Sequence, residues 1–113
     1  MQLLIAVLNQ EEKLEEVLSG FLELGVTGAT ILQSEGMGRL LQSEVPIFAG
    51  LDTFVGSRPR NVTLFSVIDG DAKVEGAIKL LQEICDVGRP GCGIVVTVPV
   101  GRVVGLAPEI GDA

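Results

Sequence analysis

The 113-residue sequence predicts an α+β domain in which two helices pack on one face of a four-stranded antiparallel sheet. Four short runs of apolar and β-branched residues have the length of strands, and two stretches have the apolar spacing of helices. Their order along the chain is strand, helix, strand, strand, helix, strand. A chain of this length has room for one compact core, so we expect residues 1–113 to form a single domain.

The first half of the chain contains a strand, a helix and a second strand. Residues 3–8 are continuously apolar and are followed by Asn9 and Gln10, which are typical of turns. Residues 11–24 change to the helical period, with acidic residues on the other side. The apolar stripe of this helix consists of Leu14, Val17, Leu18, Phe21 and Leu22. Gly25 is a typical helix stop, and a second strand is predicted over residues 26–33.

The second half repeats this plan, with strands predicted over residues 61–68 and 93–100 and a helix over residues 71–85. The two helices open with similar sequences at residues 13–17 and 73–77, as expected for a doubled βαβ unit. This element order is that of the ferredoxin-like fold, in which right-handed crossovers place both helices on the same face of the sheet. The long connection between strands 2 and 3 is an insertion into that plan.

The open face of the predicted sheet is unusual because the strands are apolar at both odd and even positions. A solitary sheet with one face in water should alternate with polar residues. Burial of each Val, Ile or Leu side chain is worth ~1.5 to 3 kcal/mol. We therefore expect another subunit to cover this face. The alternative is a helix or loop that folds back from residues 41–60.

Composition excludes several classes of function. Fifteen acidic and eight basic residues give a net charge of −7, which repels phosphate backbones, so no nucleic-acid partner is expected. No apolar run reaches ~18 residues, so we expect no membrane insertion and a cytoplasmic location. The chain has no His, which argues against Ser-His or Cys-His catalysis and against a metal site; we expect no enzyme and no metal. Cys85 and Cys92 are expected to be reduced thiols rather than a disulfide.

Three glycine-containing segments carry a resemblance to a known family. Residues 25–30 read Gly-Val-Thr-Gly-Ala-Thr and are followed, five residues later, by Gly-Met-Gly-Arg at residues 36–39. Residues 88–93 read Gly-Arg-Pro-Gly-Cys-Gly, and Gly-Arg-Val-Val begins at residue 101. In this order and spacing they resemble the second strand and T-loop base, the B-loop and the C-loop of nitrogen-regulatory PII signal-transduction proteins. The resemblance covers nearly the whole chain except residues 41–60.

This resemblance implies a homotrimer whose three sheets face inward, with a small-molecule effector, most simply an adenine nucleotide, in the cleft between subunits. It also implies that the T-loop region, residues 33–60, contacts a partner protein such as a membrane transporter or an enzyme. The residues that it assigns to the effector cleft are Gly28, Thr30, Gly36, Met37, Gly38, Arg39, Gly88, Arg89, Gly91, Gly93 and Arg102.

Taken without the resemblance, the same glycines have a purely structural interpretation. Gly28, Gly36 and Gly38 are explained equally well by turns and bulges, because glycine adopts positive φ at little cost. Residues 88–93 are explained by a turn between a helix and a strand. The alternative, an anion cradle of backbone N–H groups with Arg89 as the local cation, stays open beside it.

The chain also departs from the family pattern at cationic positions. Ile94 replaces the phosphate-binding lysine, and Gly105 and Ala107 replace two C-loop arginines. Leu40 replaces a glutamine that helps to hold magnesium and 2-oxoglutarate, and Gln10 replaces a lysine that contacts 2-oxoglutarate. We therefore expect AMP or ADP to be favoured over magnesium-ATP.

Two other functions remain as alternatives. The same departures leave open an adaptor trimer that binds no nucleotide. A metal-binding role, by analogy with copper-tolerance proteins of similar fold, is weakened by the absence of His.

Residues 45–56 are apolar for a connection between strands. Loops normally run over the surface and carry polar residues. This segment is therefore either packed on its own trimer, which we favour, or an exposed recognition patch. The arginines at positions 58 and 60 that follow it are solvated or contact the partner.

Overall fold

A computed structural model describes residues 1–37 and 61–106. Its elements, in chain order, are β1 (Gln2–Leu8), a 3₁₀ turn (Glu11–Lys13), α1 (Leu14–Leu24), β2 (Thr30–Ser34), β3 (Asn61–Ile68), α2 (Asp71–Cys85) and β4 (Gly93–Pro99). The strands form one antiparallel sheet in the order β2-β3-β1-β4. The predicted α+β, ferredoxin-like fold is confirmed. None of the described helices is long and apolar enough to cross a membrane.

The core lies between the helices and one face of the sheet. Alternate residues of β1 and β3 point into it, because side chains along a strand alternate between the two faces. The buried apolar side chains of the core come from the two central strands, from both helices and from the segment after α1; they are Leu4, Ala6, Leu8, Val17, Phe21, Val26, Leu64, Ile68, Val74, Ala77, Leu81 and Cys85. The only buried polar residue among those described is Ser66.

Glycines let the two helices approach closely. A Cβ at Gly20 in α1 would lie 2.5 Å from Cδ2 of Leu80, and a Cβ at Gly76 in α2 would lie 3.0 Å from Cδ2 of Leu24. A leucine from each helix therefore packs onto a glycine of the other. This reciprocal contact accounts for two glycines inside helices, where glycine is otherwise unfavourable by about 1 kcal/mol relative to alanine.

Most predicted boundaries agree with the structure, and β3 and α2 agree at both ends. The second strand is the exception, because it begins at Thr30 and not at Val26. Gly25 ends α1 with φ +89°, and the N–H of Val26 still donates to the carbonyl of Phe21 at 2.8 Å. The buried Val26 thus completes the helix exit, and the chain reaches the sheet edge only four residues later.

The other face of the sheet is mostly apolar, with Thr30 and Thr63 as exceptions toward the β2 edge. The register places Leu32, Thr63, Val7 and Ile94 in one row across the strands and Thr30, Phe65, Ile5 and Val96 in the next. A third row consists of Val67, Leu3 and Val98.

Apolar side chains on this open face remain partly accessible in the single chain. Leu32 is 48% exposed, Ile94 57% and Val98 46%. The predicted lack of polar alternation is therefore confirmed for the described strands. The alternative cover, from residues 41–60, lies outside the described residues.

Candidate functional site

Apart from Thr30, the predicted site residues that the structure describes fall toward two opposite ends of the sheet. Leu8, at the end of β1, pairs with Val62 at the start of β3 and with Gly93 at the start of β4. The last residue of β2, Ser34, lies at this same end because it pairs with Asn61. We call it the loop end. It carries the segment after β2, with Gly36 and Met37, and the loop of residues 88–93.

Gly28 and Arg102 lie toward the other end, where Gln2 pairs with Pro99. Arg102 follows β4, and the carbonyl of Gly28 accepts a hydrogen bond from Oγ of Ser66 at 2.6 Å. Six residue steps separate Gly93 from Pro99, which is about 20 Å along a strand. One subunit therefore does not bring Arg89 and Arg102 together.

The loop of residues 88–93 is built from consecutive tight turns. The N–H of Arg89 donates to the carbonyl of Asp86 at 3.0 Å, and the N–H of Cys92 donates to the carbonyl of Arg89 at 3.1 Å. Gly88 and Gly91 have φ values of +110° and +79°, a region that side chains with a Cβ rarely adopt. Arg89 is the only cation within this loop. Arg89 is exposed.

Two contacts fix this loop to the end of β1. Nδ2 of Asn9 donates to the carbonyl of Gly91. Gly93 has φ +127°, and a Cβ there would lie 2.4 Å from the carbonyl oxygen of Val7. The glycine at position 93 is thus required by close approach of backbone to backbone. The sequence did not single out Asn9 as a loop anchor, since an Asn after a strand indicates only a turn.

The segment after β2 is held at its base by side-chain hydroxyl groups. Oγ of Ser34 contacts Oδ1 of Asn61 and lies 2.7 Å from Oγ1 of Thr63. Gly36 follows at the sheet edge, and a Cβ there would make an ordinary 3.6 Å contact with Nδ2 of Asn61. Met37 is 75% exposed. The remaining predicted residues of this segment, Gly38 and Arg39, lie outside the described residues.

Neither Gly28 nor Gly36 has positive φ, so these two positions do not need glycine for a left-handed backbone. A Cβ at Gly28 would meet no atom within 4 Å. The fold of the single chain therefore does not require glycine at position 28. Thr30 begins β2 on the open face, opposite Phe65.

A buried acceptor without a partner also lies at the loop end. Oε1 of Gln10 is buried and accepts no hydrogen bond from the described residues. Buried polar atoms are nearly always hydrogen-bonded, so this oxygen calls for a donor from outside the described chain. Nothing in the sequence indicated this, because Gln10 was noted only as a substitution for a cationic residue.

Two of the residues that replace the family's charged or amide side chains at the loops have described positions. Ile94 points its side chain onto the open face in the row of Val7, and Gly105 is exposed with φ +90°. Leu40 and Ala107 lie outside the described residues. Among the described residues there is no cluster of His, Cys, Asp or Glu that could hold a metal ion.

Both cysteines are free thiols. Cys85 belongs to the core, and burial raises the pKa of its thiol above the ordinary value. Cys92 is half-buried in the loop before β4.

Comparison with known proteins finds several relatives that share one name, although no protein-family model matches the sequence. The chain is 32% identical over 92 residues to the nitrogen regulatory protein P-II of Azospirillum brasilense, covering 81% of this chain and 80% of that protein. It is 30% identical over 92 residues, with the same coverage, to the P-II protein of Mesorhizobium japonicum. It is 35% identical over 81 residues to that of Rhodospirillum rubrum, covering 72% and 70%.

Proposed function

Because this chain belongs to the nitrogen regulatory protein P-II family, we propose that it is a homotrimeric signalling protein that binds an adenine nucleotide between subunits. The partner protein contacts residues 33–60. The role is regulatory and not catalytic, and the protein acts in the cytoplasm.

The observation that carries this proposal is the division of the predicted site between the two ends of the sheet. Gly36 and the loop of residues 88–93 lie at the loop end, whereas Gly28 and Arg102 lie toward the other end. About 20 Å separates the ends in one subunit, so a ligand that contacts both needs one end from each of two subunits. A cleft between subunits meets this requirement.

The open face supplies the reason for assembly. Its exposed valine, leucine and isoleucine side chains would each gain ~1.5 to 3 kcal/mol from full burial, and roughly half of that remains available for side chains such as Val96, which is 43% exposed. Three copies that pack through these faces bury the apolar surface, so no additional helix or loop is needed to cover it.

The effector is selected by charge. Arg89 and Arg102 are the only arginines among the described residues, and Ile94 and Gly105 offer no positive charge. A charge-assisted hydrogen bond is worth ~1.5 to 3 kcal/mol. A nucleotide with fewer phosphates therefore loses less binding free energy from the missing cations than a triphosphate does. Oε1 of Gln10 offers an acceptor to a ligand or to a neighbouring subunit, but it offers no charge to 2-oxoglutarate.

The proposal is tested by mass and by calorimetry. Size exclusion with light scattering should give three times the 11.8 kDa chain mass. Titration should show that AMP or ADP binds at least as tightly as ATP, and that 2-oxoglutarate has no effect with or without magnesium. A stable monomer would contradict the assembly. A trimer that binds none of these nucleotides would favour the adaptor function instead.

A further inference from the structure

A serine interrupts the apolar inner face of β3. Alternate residues of this strand point into the core, and the other three are Val62, Leu64 and Ile68. Ser66 is 3% exposed, and no other buried polar residue is found in the described part of the chain. A buried hydroxyl is destabilising unless it is hydrogen-bonded, whereas alanine or valine would fill the position without that requirement. The serine therefore calls for an explanation other than packing of the core.

The hydroxyl of Ser66 holds the segment that leads into β2. Oγ of Ser66 donates a hydrogen bond to the carbonyl oxygen of Gly28 at 2.6 Å. β2 pairs with β3 only from Thr30 onward, where Thr30 lies opposite Phe65. The bond from Ser66 therefore attaches the chain to β3 two residues before the strand ladder begins.

Packing of side chains does not fix the backbone at Gly28. This glycine is exposed, and a Cβ there would meet no atom within 4 Å. On one side the chain is held at Val26, whose side chain is buried and whose N–H donates to the carbonyl of Phe21. On the other side it is held at Thr30 by the ladder. Between these two points, the hydrogen bond from Ser66 ties the backbone to the sheet.

The bond also sets the direction of the peptide between Gly28 and Ala29. In a trans peptide the carbonyl and the N–H point in opposite directions. Because the carbonyl is turned toward the hydroxyl of Ser66, the N–H of Ala29 points away from it. Both Gly28 and Ala29 are exposed, so the core contacts this peptide through the serine and leaves its other side to a ligand.

Residues 26–28 border two cavities at this end of the sheet. One cavity, of about 250 Å³, also includes Leu22 of α1, and the other, of about 40 Å³, includes Ile68 of β3. A shift of the Gly28 backbone would change the shape of both cavities. Because Gly28 belongs to the effector cleft proposed above, the position of this backbone affects the ligand site.

We propose that Ser66 is a positioning residue of the effector cleft. Its hydroxyl holds the Gly28 carbonyl, so that the peptide between Gly28 and Ala29 meets the effector in one fixed place and direction. The serine itself does not contact the ligand. This role rests on the proposed function, since it requires an effector at Gly28.

The exposure of Gly28 separates binding from stability. When the hydroxyl is removed, the carbonyl of Gly28 bonds to water, so the free energy of unfolding changes little. The peptide is then no longer held in place before the ligand arrives. The cost of ordering it is subtracted from the binding free energy, so the affinity falls.

The experiment compares Ser66→Ala, Ser66→Thr and Ser66→Val in the full-length protein, with ADP as the ligand in calorimetry. Threonine and valine have the same shape and differ by the hydroxyl, so any overpacking of the core is common to both. We expect ADP to bind about 3- to 10-fold more weakly to Ser66→Ala than to the wild type, and to Ser66→Val than to Ser66→Thr. Ser19→Ala, at an exposed position of α1, is the matched control and should bind ADP as the wild type does.

A spectroscopic measurement tests the hydrogen bond without a ligand. The carbonyl carbon of Gly28 in isotope-labelled protein should shift to lower frequency in Ser66→Ala and Ser66→Val, and should stay near its wild-type position in Ser66→Thr. Urea unfolding should give similar midpoints for the wild type and Ser66→Ala. A loss of ADP affinity at unchanged stability, with recovery by threonine and not by valine, is not produced by a general folding defect.

The outcomes separate this role from the proposed function. If the wild type binds ADP and affinity is equal within each pair, serine with alanine and threonine with valine, the positioning role is wrong and the proposed function stands. An unchanged Gly28 resonance in Ser66→Ala would also overturn the role, because the hydroxyl would then not hold the carbonyl. A wild-type protein that binds no adenine nucleotide would refute the proposed function, and the positioning role with it.

Discussion

Replacing Gly93 by alanine tests how the loop before β4 is fixed. The backbone there has φ +127°, which costs a residue with a Cβ about 1 to 3 kcal/mol. The added Cβ would also lie 2.4 Å from the carbonyl oxygen of Val7, a backbone atom within the β1–β4 ladder. That atom moves only if the neighbouring strand pairing is weakened, so a further ~1 to 3 kcal/mol is lost.

The matched control is Gly88→Ala in the same loop. Gly88 has φ +110°, but a Cβ there meets no atom within 4 Å. It therefore carries the backbone strain alone, partly offset by ~0.4 to 1 kcal/mol from a less flexible unfolded chain. We expect Gly93→Ala to lower the free energy of unfolding by about 2 kcal/mol more than Gly88→Ala does.

Urea unfolding followed by far-ultraviolet circular dichroism suits this comparison, because the chain has no Trp or Tyr for fluorescence. Both variants are measured at one protomer concentration, since the stability of an assembly depends on concentration. Equal destabilisation by the two substitutions would refute the close approach of Gly93 to Val7.

Three further predictions follow from the same geometry. Gly28→Ala should leave thermal stability unchanged, because a Cβ there meets nothing, and should weaken nucleotide binding by calorimetry if another subunit brings the ligand to this backbone. Val96→Asp should dissociate or unfold the proposed trimer in light scattering, because the trimer would bury an unpaired carboxylate, whereas Val104→Asp should leave the mass unchanged. Alkylation should modify Cys92 in the folded protein and Cys85 only on unfolding. Burial raises the pKa of the Cys85 thiol in the folded protein. The contribution of Cys85 to the free energy of unfolding is therefore full at neutral pH and falls above about pH 8.5, where the unfolded thiol ionises.

The fold was predictable because its strongest signals are local. The apolar runs, the helical stripes and Gly25 are short-range patterns, and the structure confirms the elements that they indicate. The start of β2 was predicted wrongly because Val26 resembles a strand residue in sequence, while in the fold it completes the exit from α1 and packs into the core.

The site was less predictable because its important contacts join distant parts of the chain. The roles of Asn9 at Gly91 and of Gly93 at Val7 depend on sheet register, which no single segment encodes. Spacing alone also could not show that Arg89 and Arg102 lie at opposite ends of one subunit, because that separation follows from the antiparallel course of β4 beside β1.

That separation gives the most direct test of an effector cleft shared by two subunits. Arg89→Ala and Arg102→Ala subunits are mixed in equal amounts, unfolded and refolded together, and ADP binding is measured by calorimetry. With the cleft built from Arg89 of one subunit and Arg102 of the next, each variant alone binds weakly, and random mixing restores both arginines in about one quarter of the clefts. The predicted result is that the mixture recovers about one quarter of the high-affinity ADP sites of the wild-type protein. If the wild-type protein binds ADP and the mixture recovers no such sites, the shared cleft is contradicted.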